Sequence, residues 1–192
     1  MADTNKIKYG IKNCYYAVAT IATNGTATYT TPVSLPGAVS LSLDAQGDTE
    51  KFFADNIVYF VSAANNGYEG SLELAKIPDA FLKDVLGYKT DASSVLVEDA
   101  NAPVVHFALT FQFEGDSHAR RHVLYNCTAS RPAISGQTKE DSITPQTETI
   151  NISATTVFNA ILNTDVVKAS ATPSETAAYN AWNTSIYQTA ST

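Results

Sequence analysis

Residues 36–87 constrain the fold more than any other stretch, because their hydrophobic spacing is that of strands almost throughout. Val39, Leu41 and Leu43 alternate with Ser40, Ser42 and Asp44. A period of two puts one face in a core and the other in water. Residues 45–56 interrupt the alternation with Gly47, Asp48 and Glu50 and read as an acidic loop, of a length that often carries function. Phe52 and Phe53 lie in that loop, where they dock either on their own domain or on a neighbouring subunit. Ile57–Ala63 is rich in β-branched and aromatic residues and reads as a strand. Asn66-Gly67 supplies the two positive-φ residues of a tight turn, which makes residues 68–77 its hairpin partner. There Leu72 and Leu74 share one face, and Glu69, Ser71 and Glu73 the other. Pro78 then opens a short helix over about 78–86, with Ile77, Phe81, Leu82, Val85 and Leu86 as its apolar stripe and Gly87 past its end.

The rest of the chain repeats the strand pattern. Residues 14–21 lead through Asn24-Gly25 into residues 27–35. The cleanest alternation runs over 104–113, with Val105, Phe107, Leu109, Phe111 and Phe113 facing one way and His106, Ala108, Thr110 and Gln112 the other. Val123, Tyr125, Cys127 and Ala129 form the inward face of the next strand, with Arg120, His122, Asn126 and Thr128 outward, and residues 146–154 make another. Short strands with Gly/Asn turns and little helix indicate a mainly β chain, a sandwich or barrel. Residues 163–171 read as a linker to a C-terminal helix over about 173–187. Thr172 is its expected N-cap, Pro173 its first residue, and Glu175 completes a capping box. Tyr179, Trp182 and Ile186 recur on one side of that helix, which packs either on its own domain or on an adjacent subunit. The expected division is a β domain over 1–162, with 163–192 as its linker and helix.

Composition narrows the function. Charged residues are 16 %, and Ser, Thr, Ala and Asn fill the surface instead. A surface poor in charge is easily desolvated, which suits a protein covered by neighbours. The net charge of −7 is the wrong sign for gripping DNA. Cys14 and Cys127 fall in expected strands and read as buried free thiols. No apolar run reaches membrane-spanning length, so no membrane insertion is expected.

No catalytic or cofactor-binding constellation is legible. The chain has no G-x-S-x-G, P-loop or zinc-binding spacing. His106, His118 and His122 read as solvated surface groups and not as a metal site. Glu69 and Glu73 lie on one strand face about 13 Å apart by strand rise, too far for the usual glycosidase pair. Arg120-Arg121 is a small basic spot suited to an interface or a salt bridge.

Three blocks carry a family resemblance: PGAVSLSLDAQGD (36–48), FFADNIVYFVSAANNGYEGSLELAKIPDAF (52–81) and RRHVLYNCTASRPAISGQTKEDSITPQTETINI (120–152). They resemble the major tail protein family of long-tailed, non-contractile phages of Gram-positive bacteria. With their connections they cover roughly residues 7–155. The resemblance implies a virion protein of the tail-tube fold, forming hexameric rings stacked into a hollow tube through which DNA leaves. It implies no catalytic residue, metal or cofactor. It implies partners in the protein itself, in other tail components such as tape measure and tail terminator, and in double-stranded DNA as transient cargo, with assembly in the host cytoplasm. Within that frame the expected lumen-lining residues are Ser40, Ser42, Asp44, Glu69, Ser71 and Glu73. The expected inter-ring or inter-subunit loop uses Asp48, Glu50, Phe52 and Phe53. A monomeric β-sandwich module binding carbohydrate or a host surface is the competing reading.

Overall fold

A computed structural model describes residues 7–138 and 145–189. The protein is mainly β. Its principal sheet joins β1 (Tyr9–Ile21), β2 (Ala27–Tyr29), β3 (Val33–Ser34), β4 (Ala38–Gln46) and β7 (Gly67–Leu74) to β10 (His106–Glu114), β11 (Arg121–Ala129), β12 (Glu148–Thr155) and β15 (Lys168–Ala171). The main path runs β2-β1-β10-β11-β12-β7-β4, and the pairings are antiparallel. Three small pairs stand off it: β5 (Thr49–Ala54) with β6 (Ile57–Ala63), β8 (Lys89–Thr90) with β9 (Leu96–Val97), and β13 (Val157–Asn159) with β14 (Thr164–Val166). The sheet curls until β4 approaches β1.

The curl encloses one core, where Tyr16, Leu72, Leu74, Phe107, Leu109, Leu124 and Ile150 meet the short helix α1 (Asp79–Asp84). Phe81 of α1 sets its ring edge-on to Tyr16 and Phe107 at 5.0 and 5.6 Å. The helix is shorter than 78–86: Pro78 is the residue before it and Val85 its C-cap, while Gly87 follows with φ 72°. A second core covers the other face of β1, β10 and β11, where Ala17, Ala108, Val123 and Tyr125 lie under Val157, Ala171, Trp182 and Ile186. The C-terminal segment packs on that face of β10 at Ala108, and Thr110 and Gln112 on the same face are also buried.

Three expectations are corrected. The strand 57–63 does not pair with 68–77, and Asn66-Gly67 is not its turn; β6 pairs with β5 through Asp55 (φ 53°) and Asn56 (φ 63°). These are the two left-handed residues a two-residue hairpin requires. Gly67 instead begins β7, at φ 99° and so close to β12 that a Cβ would stand 1.9 Å from the Ala154 carbonyl oxygen. Second, the inward and outward sets on β11 are broken by a register shift: Phe107 faces Cys127 but Leu109 faces Leu124. A bulge adds a residue to one strand and resets the alternation. Leu124 and Cys127 therefore enter the first core, and Val123 and Tyr125 the second. Third, residues 163–171 hold β14 and β15 and are not a linker. The helix beyond them, α2, spans only Thr176–Ala181. Glu175 does reach back to the Thr172 N–H (2.6 Å), but 172–175 form a turn. So short a helix is held by packing and not by its own hydrogen bonds.

Candidate functional site

Alternation puts Ser40, Ser42 and Asp44 on one face of β4 and Glu69, Ser71 and Glu73 on one face of β7. The register then joins the two faces: Ser40 stands opposite Glu73, Ser42 opposite Ser71 and Asp44 opposite Glu69. β12 carries the rows onward, with Thr149 opposite Glu73, Asn151 opposite Ser71 and Ser153 opposite Glu69. Thr128 of β11 extends the last row beyond Ser153. The β12 residues were not among the candidates read from the sequence. Their alternation with Ile150 and Ile152, both buried, is the signal that finds them. The face is a field of hydroxyls, amide and carboxylates with no cation in its rows.

Glu73 is tied into this face. It accepts hydrogen bonds from Thr147 Oγ1 (2.6 Å) and Ser40 Oγ (2.7 Å). Those bonds hold its carboxyl below the usual carboxylate range. Asp44 and Glu69, by contrast, place like charges directly across a strand pair, an arrangement that costs stability. Gly70 lets the strands approach, since a Cβ there would meet the Ser42 carbonyl oxygen at 1.9 Å.

The second feature grows out of the first. β4 pairs with β7 down to Gln46 and Gly67, and the ladder continues through Asn66 N–H to Gln46 O (2.9 Å) and Ala64 N–H to Asp48 O (3.0 Å). β5 and β6 then follow, with a register shift between Phe52 and Phe53. So 38–74 is one long hairpin with its tip at Asp55-Asn56; its base lies in the sheet and its distal half is a two-stranded ribbon. The expected loop is thus a strand pair. Its apolar residues Phe52, Phe53, Ile57, Val58, Tyr59, Phe60 and Val61 are 45–72 % exposed. Glu50 lies opposite Ser62 and Phe52 opposite Phe60, so these four share one face, and Lys51 opposite Val61 lies on the other. Asp48 and Glu50 are exposed at its base. The missed signal was Asp55-Asn56, a turn pair flanked by strand-forming residues on both sides.

The C-terminal contact is made within the chain. Trp182 and Ile186 are buried in the second core. Trp182 Nε1 donates to the His122 carbonyl oxygen (3.2 Å), and Tyr179 Oη to that of Ala119 (2.9 Å). Arg121 lies over the Tyr179 ring (4.0 Å) and donates to its carbonyl oxygen (2.6 Å). Half of the basic spot is therefore a clamp on this segment. The histidines are not the solvated groups expected: all three are half-buried, with His106 Nδ1 2.7 Å from Asn126 Oδ1 and His122 stacked on Phe111. Burial, then the nearby Lys168, pushes the His122 pKa down. Cys14 and Cys127 are buried and free, and burial pushes the Cys14 thiol up to about 12. Among the described residues no group of three or more His, Cys, Asp or Glu is placed to hold a metal ion, and no helix is long and apolar enough to cross a membrane.

A family model described as "Phage tail tube protein" matches residues 2–189. No curated protein matches the chain. Among solved structures, the cap that terminates the anti-feeding prophage tube is similar at 12 % identity and a TM-score of 0.42, over 90 % of this chain and 99 % of that one.

Proposed function

Because the chain belongs to the phage tail tube protein family, a structural family of the virion tail, we propose that its copies form hexameric rings that stack into the hollow tube through which DNA is ejected. The ribbon 49–63 is the observation that carries this reading. Among the described residues its rings and aliphatic side chains stay largely exposed, and contiguous apolar surface of this kind marks an interaction site. The six-fold ring is what the resemblance to major tail proteins implies.

In this reading the polar face of β4, β7 and β12 lines the lumen. Asp44, Glu69 and Glu73 give it negative potential and keep phosphate from sticking, since phosphate is gripped by Lys and Arg. DNA is transient cargo; the lasting partners are further copies, the tape measure and the tail terminator, joined in the host cytoplasm. The protein acts by assembly and not by catalysis, without a cofactor. The whole chain, 163–192 included, acts as one tube domain.

Electron microscopy and light scattering of the purified protein test the proposal. Rings or tubes are expected at high concentration. A strictly monomeric species would overturn it in favour of a carbohydrate- or host-surface-binding module.

A further inference from the structure

Where β11 leaves β12 to pair with β15, the sheet parts and opens a groove of about 370 Å³ toward β4 and β7. Its floor is apolar, with Leu43, Tyr68, Phe111 and Phe113 among its lining. Its rim is cationic. Lys8 Nζ lies 4.7 Å from the Phe113 ring centroid and Lys168 Nζ 4.8 Å from that of Tyr68. Among the described residues neither lysine makes an ion pair. Arg120 and Asp116 flank the Lys8 end beside His122, so the cations outnumber the carboxylate.

The ribbon carries the complementary pattern. Glu50 precedes Phe52 by two residues on one face, and Phe60 stands beside Phe52. That spacing sets a carboxylate about 7 Å along the strand from an aromatic pair. In the groove a cation sits just under 5 Å from an aromatic floor. Asp48, Glu50 and Asp55 outnumber Lys51 along the ribbon, so its charge opposes that of the rim.

We propose that this groove is the receptor for the ribbon of a second copy, with Phe52 and Phe60 on its apolar floor and Glu50 against Lys8 and Lys168. The inference rests on the assembly reading and names the contact that assembly uses. It accounts for two features together: apolar side chains left exposed by the described residues of their own chain, and lysines that lie over aromatic rings and make no ion pair among those residues. Opposite charge at the rim sets register and partner, while the rings supply the area.

The test uses full-length protein, with the photo-cross-linking residue p-benzoylphenylalanine in place of Phe52 or, on the opposite face, of Lys51. Light and heavy isotope-labelled copies are mixed, and tubes are verified by microscopy. The expected result is a light-to-heavy cross-link from position 52 to the peptides holding Leu43, Tyr68 or Phe113, and little from position 51. Glu50→Lys should raise the concentration needed for tube growth about tenfold. Adding Lys8→Glu and Lys168→Glu to that variant should restore it. Cross-links from position 52 to another surface of a second copy, or only within one chain, would overturn the groove assignment while tubes still form. Tubes at the wild-type concentration from Glu50→Lys would overturn the charge pairing. Failure of the unmodified protein to form rings or tubes would instead overturn the assembly reading, and this inference with it.

Discussion

Phe52 stands directly across from Phe60 in the distal ribbon, and each ring is 61 % exposed. Full burial of one such side chain is worth about 1.5–3 kcal/mol. Most of that is not gained among the described residues of the subunit, so the ribbon can lose these rings without unfolding the sheet that carries it. Phe52→Ser with Phe53→Ser should leave the thermal melt within about 0.5 kcal/mol of wild type. The same variant should form no stacked tubes by electron microscopy. Normal tubes from it would reduce the ribbon to local structure.

The carboxylate face yields a second expectation. Glu69→Lys with Glu73→Lys replaces two anions of the proposed lumen by cations, and Glu73 loses one exposed partner, Ser40, and one half-buried partner, Thr147. Tubes should still assemble, and DNA ejection from phage carrying the variant should slow, more so at low salt. Ejection at the wild-type rate would remove the electrostatic role. Coordinates of the assembled tube with these residues on its outer wall would remove the lumen assignment itself.

Trp182 seals the second core at 2 % exposure and satisfies the His122 carbonyl. Trp182→Ala should cost about 3–5 kcal/mol in denaturant unfolding. Little change would mean that the C-terminal segment is not needed to cover β10 and β11.

His122 makes stability depend on pH. Its folded pKa lies below the ordinary 6.5 because it is buried and faces Lys168, Arg120 and Lys8, with Asp116 partly opposing them. The unfolded chain then binds the proton more readily, so the contribution is present above 6.5 and is lost as pH falls through the folded value. Thermal melts should drop between about pH 7.5 and about pH 5, and His122→Phe should flatten that part of the profile.

The two thiols should be inert. Both are buried, and Cys14 is pushed up to about 12. A thiol reagent should label neither in native protein at mild alkaline pH and both after denaturation. Rapid native labelling would show that the sheet opens at β1 or β11.

Much of this protein follows from local spacing. The alternation around Ser40–Asp44 and Glu69–Glu73 sorts polar from apolar faces, because side chains on a strand point to opposite sides whatever the strand later meets. The short helix at Phe81 and the buried cysteines follow from equally local chemistry. Pairing does not. Asn66-Gly67 and Asp55-Asn56 both carry turn residues, and only the continuous ladder from Gln46 and Gly67 out to Ala54 and Ile57 selected the second. The β11 bulge, which sends Leu124 and Tyr125 to different cores, is likewise set by its partner strand. Ala108 packs under a segment some seventy residues away, at Trp182 and Ile186. Periodicity records how a strand divides its own faces; which neighbour covers each face is settled by contacts between residues distant in the chain, and those leave no mark in the spacing.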